Sequence, residues 1–309
     1  MSACLNNNLN HLIVDLMFRR FTTHASRAHE NPLGLPKSNA APQMPRMQRG
    51  IPARRRLRDV GSVIAVSSAK GGVGKSTLAV NMALGFALRG QRAGILDADI
   101  FGPSVPWLMN LEGEPRLSAE NKLLPLENYG VKSMSMGFLV GKDAPVVWRG
   151  LMVVKALQQL LHQVAWGGLD VLVVDMPPGT GDTQLTITQE IELDGAVIVS
   201  TPQDIALLDA VKGINMYRKV GVRVIGMVQN MSTFVCPKCG GSSDVFGHGG
   251  VEREASKAGV EMLGDVPLHA SICTSSDNGK PIIIDSPDSP LAAAFRRIVE
   301  KTDHLLTKG

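Results

Sequence analysis

Ser67-Ser-Ala-Lys-Gly-Gly-Val-Gly-Lys-Ser-Thr77 is the stretch on which the fold turns. It continues an apolar run at residues 60–68 (VGSVIAVSS) and leads into residues 76–89, whose apolar positions recur at helical spacing until Gly90 stops them. A buried strand, a Gly-rich turn and a helix, in that order, make a cradle for a polyphosphate. Gly71, Gly72 and Gly74 let the backbone amides around Val73 curl about an anion, and the helix N-terminus adds the positive end of its dipole. Lys75 is placed to reach the β and γ phosphates, Ser76 to set its hydroxyl on Mg2+, and Thr77 to hold the loop. Ala69 stands where the plain G-x-x-x-x-G-K-[ST] pattern has its first glycine, a modest loss provided that Ala69 needs no positive φ.

Outward from this loop, short apolar runs alternate with helical stretches. Further strands are expected at residues 92–96, 169–174 (LDVLVV), 196–200 and 222–229, and helices at 151–164 and 205–220. Strands rich in Val and Ile on both faces, separated by helices, predict an α/β fold of P-loop NTPase type, with a doubly wound, mostly parallel sheet covered on two sides. Ligands in such sheets gather at the carboxyl ends of the strands.

Two acidic segments stand at such ends. Asp97-Ala-Asp99 follows the second strand, and Asp175-Met-Pro-Pro-Gly-Thr-Gly-Asp182 follows LVV. Asp99 is the candidate for orienting the attacking water, Asp97 for the Mg2+ shell, and Asp175 for the Walker B carboxylate on hydrated Mg2+. A lone strand-end Asp is commonly a helix cap, but three such acids after strands of one P-loop sheet weaken that alternative. No N-K-x-D guanine-reading motif occurs, since Asn121-Lys122 is followed by two leucines, so adenine is favoured.

Phe234-Val-Cys-Pro-Lys-Cys-Gly-Gly241 carries a second kind of chemistry. Two thiolates spaced C-x-x-C, Cys236 and Cys239, can bite one metal ion or cluster but leave it half coordinated. Two copies meeting across a dimer axis would supply four thiolates. An iron-sulfur cluster, a bridging zinc and a redox dithiol all fit these atoms. Cys4 lies in the amino-terminal segment, and Cys273, isolated in sequence, is expected to be a small core residue.

The chain has 309 residues, of which 44% are hydrophobic and 4% aromatic. It is long enough for a substantial core, and its scarcity of aromatics speaks against a stacking platform for nucleic acid. Residues 1–58 hold ten Lys and Arg against Asp15 and Glu30, a net +8, while residues 59–309 are −4, so the body lacks the basic surface of a DNA-coating protein. The first 58 residues have no hydrophobic periodicity and contain Pro32, Pro36, Pro42, Pro45 and Pro52. From Met17 they run Arg-rich, hydroxylated and acid-poor, as mitochondrial presequences do. They are expected to be a presequence and linker, with Met17 a candidate start, ahead of an ATPase domain at 59–309. No run of about 18 apolar residues occurs, so no stable membrane insertion is expected.

The string AKGGVGKST resembles the deviant Walker A loop of the MinD, ParA and nitrogenase iron-protein class, with a second lysine at Lys70. That resemblance implies a nucleotide-sandwich homodimer in which Lys70 reaches the ATP held by the other subunit, with Asn230 and Pro267 bordering the base. Over roughly residues 50–288 the chain resembles the Mrp/Nbp35 family of iron-sulfur scaffold and carrier ATPases. Residues 134–139 (MSMGFL), 145–152 (PVVWRGLM), 200–206 (STPQDIA) and 228–232 (VQNMS) resemble its mitochondrial branch most closely. This second resemblance implies a weak ATPase working as a switch in the mitochondrial matrix. ATP and Mg2+ would control a [4Fe-4S] cluster bridging two subunits, taken from a donor and passed to apoproteins, above all for respiratory complex I assembly. The four-cysteine amino-terminal cluster of the family's cytosolic members is missing, and the helix expected at 291–306 has too few basic residues for a MinD-like membrane anchor. Trp148 and Arg149 are equally readable as nucleotide or partner contacts and as a core aromatic with a solvated neighbour. The contrasting reading is a MinD/ParA-type positioning ATPase with a zinc-bridged or redox C-x-x-C.

Overall fold

β1 (Val60–Ser67) runs through the middle of a nine-stranded sheet, with β5 (Leu169–Asp175) on one side and β6 (Gly195–Ser200) on the other. The computed structural model describes residues 54–139, 150–236 and 238–308. Beyond β5 lie β2 (Ala93–Asp97) and β4 (Val131–Ser135), and beyond β6 lie β7 (Val224–Val235) and β9 (Glu261–Leu268), all parallel. Only β3 (Leu126–Asn128), outside β4, and β8 (Ser242–Ser243), on the end of β7, are antiparallel. Every residue of β2 and β6 is buried, as strands covered on both faces require.

Helices cover both faces. On one lie α1 (Lys75–Leu88), α8 (Ile282–Asp285) and α9 (Pro290–Thr307), whose Phe86, Ile283, Phe295 and Ile298 share a core with Ile64 and Val66 of β1. On the other lie α3 (Gly150–His162), α4 (Asp182–Glu190), α5 (Asp204–Lys219) and α6 (Gly250–Ala258), where Leu157, Ile187, Tyr217 and Val251 pack with Val63 and Ala65. A buried Leu, Ile or Phe contributes about 1.5–3 kcal/mol, several times a surface ion pair, so packing fixes α1 even though no side chain caps its N-terminus. The short α2 (Val105–Leu108) and α7 (Ala270–Asp277) complete the described helices. Among them none is long and apolar enough to cross a membrane.

The α/β class and the central elements match the expectations from sequence, but the described residues form nine strands where five are expected. β4 and β9 read poorly as strands because Lys132, Gly264, Asp265 and Pro267 interrupt them. Pro267 is tolerated because β9 is an edge strand and needs no second ladder. β7 does not stop at residue 229 but continues to Val235 through a break in its ladder with β9 between Asn230 and Phe234, where Met231 takes φ 54°. The folded body also starts before Asp59: Leu57 is in the core, and Arg55 forms a parallel bridge with Ile191. The remainder of the expected presequence and linker, residues 1–53, lies outside the described residues, as do Trp148 and Arg149.

Candidate functional site

The turn between β1 and α1 is built to hold an anion. Gly74, the residue before α1, has φ 83° and offers no side-chain cap, and the first turn carries no acid, so its amides are left for a ligand. Gly72 also has positive φ, and a Cβ on Gly71 or Gly72 would meet nothing within 4 Å, so the loop faces open space. Ala69 does not adopt a positive φ, which is why alanine serves in place of the first glycine. Above the loop is a cleft of about 270 Å³ lined by Gly71, Gly72, Gly74, Lys75, Ser76, Thr77, Asp99 and Pro178, among others.

Strand register brings the acids to this loop. Asp175 lies beside Val66 of β1 on one side and Asp97 of β2 on the other. Lys75 Nζ forms a buried salt bridge with Asp175 Oδ1 and lies 3.1 Å from Ser76 Oγ. Asp175 Oδ2 is fully buried with no hydrogen-bond partner among the described residues. An orphaned carboxylate oxygen is costly, about 1–3 kcal/mol, and its charge suits a cation, as the neighbouring Ser76 hydroxyl on the cleft wall does. Burial pushes the Asp175 carboxyl above the usual range, against the pull of Lys75. The residues present therefore suit Mg2+ and a polyphosphate.

Asp97 is bound up with its own loop. Its Oδ1 accepts from the Asp99 amide (3.1 Å), and Oδ2 accepts from the amides of Ser104 and Val105 (3.1 Å each) and from Ser135 Oγ (3.0 Å). Burial and then the Asp175 charge push its carboxyl up to about 7. Asp99 is half-buried on the cleft wall, and burial raises its carboxyl too, opposed by Lys75. Thr77 lines the cleft, and its carbonyl accepts from Asn81 Nδ2 (2.8 Å). Lys70 is exposed at the lip, and no ion pair to its side chain is seen among the described residues.

Asn230 donates from Nδ2 to the carbonyl of Val73 (2.8 Å), bracing the phosphate loop from β7. Pro267 follows Val266, the register partner of Asn230, and neither Asn230 nor Pro267 is among the cleft-lining residues. Sequence reading missed Ser104, Ser135 and Gln184, because each acts through a partner that only the fold brings near.

Cys236 and Cys239 sit at the tip of the β7–β8 hairpin, where Gly240 N donates to Cys236 O and Cys236 N to Gly241 O, each 2.9 Å. The amides of Cys239 and Lys238 are directed at the Cys236 sulfur and hold its thiol below the usual range. Cys236 is half-exposed and Cys239 exposed, and among the described residues no third His, Cys, Asp or Glu joins them. Cys273 corrects an expectation: it is exposed on α7 rather than in the core, with Sγ 3.5 Å from Asp277 Oδ2 one turn on, because the helix turns this face to solvent.

A family model described as ParA, NUBPL iron-transfer P-loop NTPase, matches residues 59–303. The chain is 54% identical over 257 residues to the iron-sulfur cluster transfer protein NUBPL of Mus musculus, covering 82% of this chain and 81% of that one. It is 52% identical over 246 residues to the mitochondrial iron-sulfur protein required for NADH dehydrogenase of Arabidopsis thaliana, 79% of each chain. Among solved structures, the nucleotide-binding protein of Archaeoglobus fulgidus in complex with ADP superposes with a TM-score of 0.67 at 39% identity, covering 78% of this chain and 94% of that one.

Proposed function

This chain belongs to the NUBPL iron-transfer family of P-loop NTPases, and from that premise we propose that it is an ATP-switched carrier of [4Fe-4S] clusters, working as a homodimer in the mitochondrial matrix. The observation that carries the reading is the half-complete thiol site. Cys236 and Cys239 lie at the end of β7, without a third ligand among the described residues, on the strand whose Asn230 braces the phosphate loop. Two copies supply the four thiolates that a cluster needs. The cluster is cargo, received and passed on to apoproteins. The name of the Arabidopsis relative supports subunits of NADH dehydrogenase, respiratory complex I, as the acceptors.

The switch arises from the salt bridge. Without nucleotide, Lys75 is held by Asp175. When ATP occupies the loop, the amides from Gly71 to Thr77 bind its phosphates and Lys75 leaves Asp175 for the β and γ oxygens. Asp175 and Ser76 hold Mg2+, which neutralises phosphate charge when bound. Asp99, on the cleft wall, orients the attacking water, while Asp97 keeps the loop of residues 99–105 folded over the site. Lys70, exposed and without an ion pair among the described residues, would reach the nucleotide of the partner subunit. Asn230 and Pro267, outside the cleft lining, would border the base. ATP state is thus linked to the dimer interface at which the cysteines meet, and turnover is slow because the nucleotide serves as a switch.

Anaerobic reconstitution of the full chain with ferrous iron and sulfide tests this. The expected product is a brown dimer with about four Fe per dimer, lost in Cys236→Ala, that transfers its cluster to a complex I apoprotein at a rate changed by ATP. A colourless zinc-containing product would sink the proposal, and ATP-dependent binding to liposomes or DNA without iron would replace it with the positioning reading.

A further inference from the structure

Asp175 is followed by Met176, Pro177 and Pro178, and the two prolines have no amide hydrogen with which to tie themselves to the sheet. The loop is pinned on either side of them, Met176 N to Val66 O (3.0 Å) and Gly179 N to Ser68 O (3.0 Å). Between those pins the prolines offer only carbonyls as backbone handles. Gln184 of α4, 1% exposed, takes one of them: Nε2 donates to Pro177 O at 2.5 Å and to Ser67 Oγ at 3.2 Å, and Oε1 lies 3.4 Å from Ser67 Oγ. Ser67 is the last residue of β1, at the root of the phosphate loop, and Pro178 lines the cleft. One buried amide therefore joins the loop that follows Asp175 to the loop that holds Lys75, from beneath.

We propose that Gln184 is a positioning residue for nucleotide hydrolysis, which fixes the Met176–Gly181 path, and with it the aim of Asp175, against the phosphate loop. The core on this face of the sheet, which holds Met176, Ile187 and Ile191, is apolar and buried, so packing alone would be served as well by methionine. What methionine cannot do is donate. Gln184 and Ser67 leave no side-chain polar atom of their own unpaired, which stiffens the tether, and a carboxylate that must stay aligned through an exchange of partners, Lys75 for Mg2+, needs a rigid seat.

The proposal rests on the ATPase reading, and the experiment separates the two. Steady-state Mg-ATP hydrolysis and binding of a fluorescent ADP analogue are measured on the full chain, wild type, Gln184→Met and Gln184→Glu, the last keeping the size but not the donor. Both variants are expected to lose about tenfold or more in kcat while ADP-analogue affinity stays within about threefold, since the loop amides and Lys75 are untouched. Hydrogen exchange on nucleotide-free protein is expected to quicken about tenfold at the Gly179 amide and not in β1 or β6. A Gln184→Met protein with wild-type kcat, or with unchanged exchange at residue 179, overturns the proposal. So does a parallel fall of kcat, affinity and melting temperature, which marks packing alone. A wild type that binds nucleotide without hydrolysing it defeats the ATPase reading and the catalytic half of this one, whereas the exchange result judges the tether by itself.

Discussion

Lys75 and Asp175 form a buried ion pair that satisfies only one side of the carboxylate: Oδ1 meets the ammonium group, and Oδ2 has no hydrogen-bond partner among the described residues. Removing one member strands the other. Asp175→Ala is expected to lower the stability of the nucleotide-free protein by about 3 kcal/mol, and Lys75→Met combined with Asp175→Leu to recover most of it. Urea unfolding decides this, and a single-mutant loss below about 1 kcal/mol would contradict a desolvated pair.

Asp97 gives the pH dependence a definite sign. Its folded value, about 7, exceeds the ordinary 3.8, so between those values the folded protein keeps a proton that the unfolded chain gives up. The stability that this proton contributes is fully present below about pH 4 and is lost as pH rises through about 7. Asp170, lowered to about 2 by Arg92, has the opposite sign and acts below that window. With nucleotide and divalent cations absent, the melting temperature of the wild type relative to Asp97→Asn should therefore fall between about pH 4 and pH 7 and level off above. A flat or rising difference would refute the assignment.

The thiols should separate by reactivity. Amides directed at Cys236 favour its thiolate, whereas the Asp277 carboxylate holds the Cys273 thiol above its usual range. Iodoacetamide at neutral pH is expected to alkylate Cys236 at least several-fold faster than Cys273, read by peptide mapping. Loading with a cluster should protect Cys236 and Cys239 and leave the Cys273 rate unchanged.

Gly74 cannot carry a side chain. Its φ is 83°, and a Cβ there would overlap Asn230 Nδ2. Gly74→Ala is expected to weaken ATP binding about tenfold or more, measured by calorimetry, and Asn230→Ala should not rescue it, because the backbone strain of about 1–2 kcal/mol remains when the contact is gone. Full rescue would show that the contact alone matters.

The phosphate loop was legible because its chemistry is local: glycines, lysine and hydroxyls lie in consecutive positions between a strand and a helix. Asp97, Asp99 and Asp175 were legible as strand-end acids, but the hydrogen bonds that hold Asp97 were not. Asp97 is committed by Ser104, Val105 and Ser135, seven, eight and 38 residues away, and only the parallel register of β2 with β4 and β5 brings Ser135 and Asp175 beside it. Gln184 was invisible for the same reason, an ordinary polar residue in a Thr-rich helix whose partners lie seven and 117 residues back. Cys273 misled because isolation in sequence says nothing about which side of a short helix faces solvent.

β7 leaves one further consequence. Asn230 and Cys236 are six residues apart on a chain segment that spans roughly 20 Å at the usual strand rise, broken only by the left-handed Met231. Beyond Met231 successive residues again point to opposite sides, so the count from there to the thiols fixes the side from which the hairpin tip leaves β7 as well as its reach. Under the proposed pairing of two copies through these thiols, one residue more or fewer in that interval would leave both motifs intact and present the cysteine pair from the opposite side of β7.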